Sequence, residues 1–120
     1  MKIARMSETG PAVTPEPPYY AVIFSSEHTG EHPGEYTAVA ELMFRLASEQ
    51  PGYLGVERAG GTDLNITVSY WRDEASIRAW REHLEHTVAR ERGRSDWYST
   101  YTLRVARVER VSTFTRPDRP

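Results

Sequence analysis

Apolar positions along this chain repeat with two different spacings, which separate predicted strands from predicted helices. In Leu64–Trp71 apolar and polar residues alternate, and a period of two is typical of a strand with two unlike faces. From Tyr36 onward the apolar residues recur every three or four positions, which predicts an amphipathic helix that ends before Gln50–Gly52. Its apolar positions are Tyr36, Val39, Ala40, Met43, Leu46 and Ala47.

Three further segments have the composition of strands. Tyr19–Ser26 is aromatic and β-branched, and it is apolar on both faces. Tyr53–Ala59 predicts a short strand that the turn sequence GGTD joins to Leu64–Trp71 as a hairpin. Trp97–Arg110 is also rich in β-prone residues, so the sequence predicts four strands in all.

A second helix is predicted between the third and fourth strands. Asp73 is a suitable N-cap residue, and Gly93 marks the expected end. One stripe of this helix is apolar, which predicts that it packs against the sheet. The stripe consists of Ile77, Trp80, Leu84 and Val88.

The resulting order, β-α-β-β-α-β, predicts an α+β protein with the ferredoxin-like arrangement. In that arrangement a four-stranded antiparallel sheet carries both helices on one face. Because Tyr19–Phe24 has no polar face, the other side of the sheet also needs a cover. A second copy of the chain is the simplest cover, so we expect a homodimer with its sheets face to face, a dimeric α/β barrel.

Composition sets the limits of the folded domain. Residues 7–18 contain four of the eight prolines, so we expect residues 1–18 to form a flexible N-terminal tail. Residues 19–110 form the predicted domain, and residues 111–120 are expected to be a flexible C-terminal tail.

Composition also excludes several classes of function. The net charge of −2 offers no basic surplus for nucleic acid. The absence of cysteine excludes disulfides, thiolate metal sites and a cysteine nucleophile. No apolar run approaches the roughly 20 residues of a membrane span, and the N-terminus does not resemble a signal peptide. We therefore expect a cytoplasmic protein that binds neither nucleic acid nor membranes.

The second predicted helix contains the candidate chemistry. On an ideal helix His83 lies about 60° from Trp80, and His86 about 120° in the same direction. The first interpretation is structural, with Trp80 in the core and both histidines in solvent. The alternative is that all three face a pocket. A metal site is not expected, because neighbouring Glu82 and Glu85 form no known ligand motif with the histidines.

Three sequence segments resemble the antibiotic biosynthesis monooxygenase (ABM) family of small dimeric α+β barrels. These are QPGYLGVE, ITVSYWRDEASIRAWREHLEH and RGRSDWYSTYTLRVARVER, which follow one another in the order found in the family. The spacing of YW, AW and EH is the most specific part. The resemblance implies a homodimer whose subunits each hold a pocket between sheet and helices.

The family resemblance implies two kinds of oxygen chemistry. Some members oxidise aromatic polyketides with O2 and need neither metal nor flavin. Haem-degrading members bind haem through a helical histidine, which here would be His86, and use a helical tryptophan, here Trp80. They also use an asparagine on the first strand, where this chain has Phe24 or Ser25.

Three hypotheses remain open at this stage. The first is a cofactor-independent monooxygenase acting on an aromatic substrate, with Trp80, His83 and His86 as catalytic candidates, since an imidazole titrates near neutral pH. The second is a haem-binding or haem-degrading protein with His86 as axial ligand. The third is a non-catalytic dimer that binds a small ligand. The expected wall residues of the pocket are Phe24, Tyr70, Trp71 and Tyr101.

Overall fold

The computed structural model describes residues 10–28, 44–60, 63–91 and 98–117, with the backbone alone described for residues 28, 84–91 and 98–99. Residues 44–48 are helical and are called α1 here, and Glu74–Glu91 forms helix α2. The strands are β1 (Tyr19–His28), β2 (Tyr53–Gly60), β3 (Leu64–Trp71) and β4 (Tyr98–Val108).

The four strands form one sheet in the order β2-β3-β1-β4. All three neighbouring pairs are antiparallel. The two central strands are thus β1 and β3, and the connections through α1 and α2 each skip one strand. This topology confirms the predicted ferredoxin-like α+β fold.

The two faces of the sheet differ in what covers them. The interior face is the one that packs against the helices, and its core consists of Val22, Ala47, Trp71 and Ile77. Ala47 comes from α1 and Ile77 from α2, which confirms that both predicted helices bury apolar positions there. The opposite face, called the outer face here, contains the residues that alternate with these along each strand.

Strand β3 presents its polar residues to the helices and its apolar residues to the outer face. Trp71 lies on the interior face, so Asn65, Thr67 and Ser69 share that face by alternation. Leu64 and Ile66 lie on the outer face and are 51% and 38% exposed. The alternation that predicted the strand is therefore confirmed, but most of the apolar set faces away from the helices.

Tight contacts at the start of α2 fix this helix against the sheet. The Asp73 carboxylate accepts a hydrogen bond from Ser76 N at 2.8 Å, which confirms the predicted N-cap. Gly52 is buried against the Ser76 side chain and has φ +89°, a backbone conformation that residues other than glycine rarely adopt. Arg72 N donates to Gly52 O at 2.7 Å, which ties the end of β3 to the turn before β2.

Residues 10–18 lie along the outer face at the end where β1 begins. Ala12 N donates to Glu57 Oε2 at 2.7 Å, and Thr14 Oγ1 and Tyr19 Oη are 2.6 Å apart. A Cβ on Gly55 would lie 3.3 Å from Ala12 Cβ, so β2 leaves just enough room for this segment. The segment therefore covers part of the outer face.

Several expectations fall on other parts of the chain. Residues 36–43 of the predicted first helix, Gly93 and Trp97 lie outside the described residues, as do residues 1–9 and 118–120 of the predicted tails. Neither α1 nor α2, the helices in the described ranges, combines the length and apolar character needed to cross a membrane.

Candidate functional site

Three aromatic rings pack against one another between the sheet and helix α2. Trp71, at the end of β3, is completely buried, and its indole N–H donates to Ser69 Oγ at 2.9 Å. The Trp80 ring of α2 lies 5.4 Å from it at an interplanar angle of 34°. Tyr53 of β2 meets Trp71 edge-on at 5.6 Å. Such offset and edge contacts are favourable ring geometries, so this aromatic cluster fixes α2 on the sheet.

The Tyr53 hydroxyl in this cluster is buried and has no hydrogen-bond partner among the described residues. Burial raises the pKa of Tyr53 above its ordinary value of 10.0, so the phenol stays neutral and keeps its proton. A buried hydroxyl without a partner is rare in native proteins because the lost hydrogen bond to water is not replaced. Tyr53 thus brings an unused donor into the interior.

A second aromatic contact lies at the β1–β4 pair. Phe24 and Tyr101 have ring centroids 5.2 Å apart, at an interplanar angle of 38°. Leu103 pairs directly with Phe24, and Val105 pairs with Val22, so all these side chains share the interior face. Tyr101 and Val105 are 37% and 44% exposed, which leaves this part of the interior face partly open.

Polar side chains lie beside these aromatic ones on the same face. Asn65 pairs with Ser26, Thr67 pairs with Phe24 and Ser69 pairs with Val22. We call the row the polar lane, which consists of Ser26, Asn65, Thr67 and Ser69. Ser26 and Ser69 are buried, whereas Asn65 and Thr67 are half-buried. A mainly apolar surface with a few convergent polar groups is the usual chemistry of a small-molecule site.

Tyr70, one of the predicted wall residues, lies on the outer face. Its hydroxyl donates to Glu57 Oε1 at 2.7 Å, and its ring meets Tyr19 edge-on at 5.9 Å. Desolvation by burial and the hydrogen bond to the Glu57 carboxylate raise the pKa of Tyr70 well above 10.0. The structure brings Trp71 and Trp80 together, and Phe24 and Tyr101 together, but it places Tyr70 on the opposite side of the sheet from all four.

The candidate histidines both belong to α2. His83 is exposed on the helix surface, one turn beyond Trp80. His86 lies in the same helix, and its side chain lies outside the described residues. The described residues contain no group of three or more histidine, aspartate or glutamate side chains arranged to hold a metal ion.

Haem is the cofactor that the resemblance to haem-degrading members of the family implies. Haem requires an axial ligand that reaches the iron from inside a pocket. The described side chains of the interior core and aromatic cluster provide no imidazole, and His83 points to the surface. Among the described side chains, none supplies an axial ligand for haem on the interior face.

Two features of this site were not found from the sequence. The sequence predicts only a strand for Tyr53, which lies opposite Trp71 because the strand register shifts between Tyr53 and Gly55. The polar lane was visible as the polar half of LNITVSYW, but alternation alone does not tell which half faces the helices.

The chain belongs to the antibiotic biosynthesis monooxygenase family, whose sequence model matches residues 19–92. It is 53% identical over 102 residues to the uncharacterized protein YqjZ of Bacillus subtilis, covering 84% of this chain and 89% of that protein. It is 33% identical over 95 residues to the jasmonate monooxygenase ABM of Pyricularia oryzae, covering 74% of this chain but only 43% of that protein.

A solved structure supports the fold independently. SnoaB of Streptomyces nogalater, described as a cofactor-independent oxygenase, superposes with a TM-score of 0.57. The superposition covers 85% of this chain and all of SnoaB, with 13% sequence identity. At that identity the likeness concerns the fold alone. The family and the fold are thus shown, and both include monooxygenases.

Proposed function

We propose that this chain is a monooxygenase that oxidises a small aromatic substrate with O2 on the interior face of the sheet, without a metal, flavin or haem. The observation that carries the proposal is the placement of the polar side chains of β3, because Asn65, Thr67 and Ser69 lie on the face that packs against the helices. A strand serving only a core would turn its apolar residues there instead. The similarity to SnoaB and to the jasmonate monooxygenase supports an oxygenase rather than a non-catalytic binding protein.

The proposed reaction uses the substrate as its own reductant. The substrate loses a proton from a CH2 group that is acidic because the resulting carbanion is conjugated with the substrate's carbonyl, and this carbanion reduces O2. A CH2 group then becomes C=O, one oxygen atom enters the product and the other leaves as water. The protein favours the deprotonated substrate with hydrogen bonds from the polar lane, and apolar walls formed by Phe24 and Tyr101 exclude water. His86 is the first candidate for the proton acceptor, and His83, which is exposed on the helix surface, is the second.

The test is O2 consumption with 1,8-dihydroxyanthrone, whose oxidation product is the corresponding anthraquinone. We expect catalysis above the rate of spontaneous oxidation, with one atom of labelled oxygen from 18O2 in the product. Thr67→Val removes a hydroxyl of the polar lane at nearly constant volume and should lower kcat/KM by about tenfold. Ser25→Ala, a hydroxyl deletion on the outer face, serves as the matched control and should leave the rate unchanged.

The haem alternative is tested separately by titrating the purified protein with haemin, beside His86→Ala and His83→Ala. We expect no saturable Soret band at one haem per subunit that depends on either histidine. A band lost only in His86→Ala would replace this proposal with the haem-binding function. The pH profile of anthrone oxidation in the same two variants identifies the proton acceptor, because the variant that lacks this acceptor loses the acidic limb of the pH–rate profile.

We propose that the functional unit is a homodimer that packs its outer faces together. The exposed apolar side chains of β3, Leu64 and Ile66, support this, since a sheet face that exposes apolar residues needs a cover. Ile66→Asp would place a charge in the interface and should convert the dimer to monomer in light scattering. Ala79→Asp, at an exposed position of α2 and away from the outer face, controls for the added charge. A wild-type protein that is monomeric at micromolar concentration would contradict the proposal.

A further inference from the structure

The buried hydroxyl of Tyr53 is held in place by its surroundings. Tyr53 N donates to Gln50 O at 3.2 Å, which anchors the backbone where β2 begins. The ring lies edge-on against Trp71, which is itself completely buried. The hydroxyl therefore sits in the layer between sheet and helices, where neither solvent nor a described residue satisfies it.

Tyr70 shows that this fold can satisfy a tyrosine hydroxyl when the hydroxyl has a structural role. Both tyrosines belong to the β2–β3 hairpin, and both have a raised pKa because of burial. On the outer face Tyr70 donates to Glu57 at 2.7 Å, and Glu57 also receives Ala12 N. On the interior face no described residue accepts a hydrogen bond from Tyr53. The two hydroxyls are chemically alike, so they differ only in whether a described residue supplies a hydrogen-bond acceptor.

We propose that Tyr53 Oη is a hydrogen-bond donor reserved for a carbonyl or enolate oxygen of a ligand bound between the sheet and the helices. The proposal rests on the proposed function, which supplies the class of ligand, an oxygenated aromatic compound. A donor held in a dry interior binds such an oxygen without first giving up a protein partner. As the negative charge on that oxygen grows during deprotonation, the bond strengthens, so Tyr53 favours the reactive form of the substrate.

The free protein provides the first test, because the proposal fixes the sign of a stability change. Tyr53→Phe removes a hydroxyl that has no partner among the described residues, so its melting temperature should rise by about 4 °C. Tyr70→Phe is the matched control, since it removes a hydroxyl of the same kind that has a partner. Its melting temperature should fall by about 4 °C.

The second test compares two ligands that differ by a single oxygen. Calorimetric titrations with 1-tetralone and with tetralin measure how much of the affinity depends on a carbonyl acceptor. Tyr53→Phe should weaken 1-tetralone binding by about tenfold and leave tetralin binding unchanged. Tyr70→Phe should change neither, because its hydroxyl lies on the outer face. Neither titration involves O2, so the result does not depend on turnover.

Each outcome decides the proposal. A rise in melting temperature together with a loss of carbonyl-dependent affinity supports it. A fall in the melting temperature of Tyr53→Phe would show that the hydroxyl has a structural partner and would overturn it. Equal 1-tetralone affinity in wild type and Tyr53→Phe would also overturn it, whether the hydroxyl binds water or nothing. A wild type that binds neither compound would overturn it as well. Tyr53-dependent binding without anthrone oxidation would refute the proposed oxygenase alone.

Discussion

Tyr70 and Trp71 are neighbours in β3, yet they lie in two contrasting environments. On the outer face Tyr70 belongs to a closed network, in which Glu57 accepts from the Tyr70 hydroxyl and from Ala12 N. On the interior face Trp71 donates to Ser69 within its own strand and stacks with Trp80. Beside it Tyr53 keeps a buried donor that no described residue accepts.

The two faces differ in whether the described residues satisfy the hydrogen bonds of their buried polar groups. Polar groups at the covered end of the outer face find partners within the chain, some from residues far apart in sequence. The interior face combines tight ring packing with a hydroxyl that has no described partner, a row of polar side chains, and Tyr101, which is 37% exposed. Buried polar groups without hydrogen-bond partners lower the stability of a protein unless a ligand supplies the partners. We therefore expect the function to lie on the interior face.

The largest expected effect comes from removing the centre of the interior cluster. Trp71→Ala should lower the free energy of unfolding by about 4 kcal/mol, because the substitution leaves a large cavity at a fully buried position. Urea unfolding measures this change. Phe114→Ala, at a side chain that is 84% exposed, is the control and should change stability by less than about 0.5 kcal/mol. A loss below about 1 kcal/mol for Trp71→Ala would show that this cluster does not fix α2.

The outer network should give the next largest effect. Glu57→Ala removes the acceptor of two hydrogen bonds and leaves the Tyr70 hydroxyl and Ala12 N without it. Unfolding free energy should fall by about 2 kcal/mol. In the Tyr70→Phe background the same substitution should cost less, since one of the two donors is already gone. Strictly additive losses in this double-mutant cycle would mean that the two side chains do not interact.

A smaller effect is expected at alkaline pH. The pKa of Tyr70 is raised in the folded protein, whereas the unfolded chain ionises near 10.0. The contribution of this group to stability is therefore fully present below pH 10 and is lost as the pH rises above it. Thermal melts between pH 9 and 11 should show a steeper decline in wild type than in Tyr70→Phe. An identical pH dependence of the melting temperature in wild type and Tyr70→Phe would show that the Tyr70 hydroxyl is exposed to water in the folded protein.

The smallest effect is expected at acid pH from the cap of α2. Hydrogen bonding to the backbone N–H of Ser76 lowers the pKa of Asp73 below 3.8. The cap therefore stabilises the fold above pH 3.8 and is lost as the pH falls through the lowered value. Asp73→Asn keeps a capping oxygen without the titration, so the difference in melting temperature between it and wild type should shrink below pH 3.8. A difference that is constant with pH would argue against the charged cap.

The fold was predictable from the sequence because its signals are local. Alternation in LNITVSYW, the Asp73 cap and the turn before β3 each depend on a few neighbouring residues. Together they predicted the element order and, through that order, the sheet topology. The contact between Ala12 and Glu57 joins residues 45 positions apart, and no local pattern indicates it.

The candidate site was harder to predict. Alternation places Tyr70 and Trp71 on opposite faces, so a wall containing both conflicts with the strand period that predicted β3. That period left open which half of the strand meets the helices, and the polar lane depends on this choice. Tyr53 carries no sequence signal beyond an aromatic residue in a strand, because a missing hydrogen bond is a property of the folded interior. The roles of Trp80, His83 and His86 remain predictions.

The stacked indoles of Trp71 and Trp80 also give the protein a built-in optical reporter. Their rings lie 5.4 Å apart, and one of them is completely shielded from water while the other is half-buried. Two chromophores this close share their excited states, so the pair should produce a circular dichroism signal that neither ring gives alone. Any event that moves α2 relative to the sheet changes this signal, and wild-type protein reports it without a label.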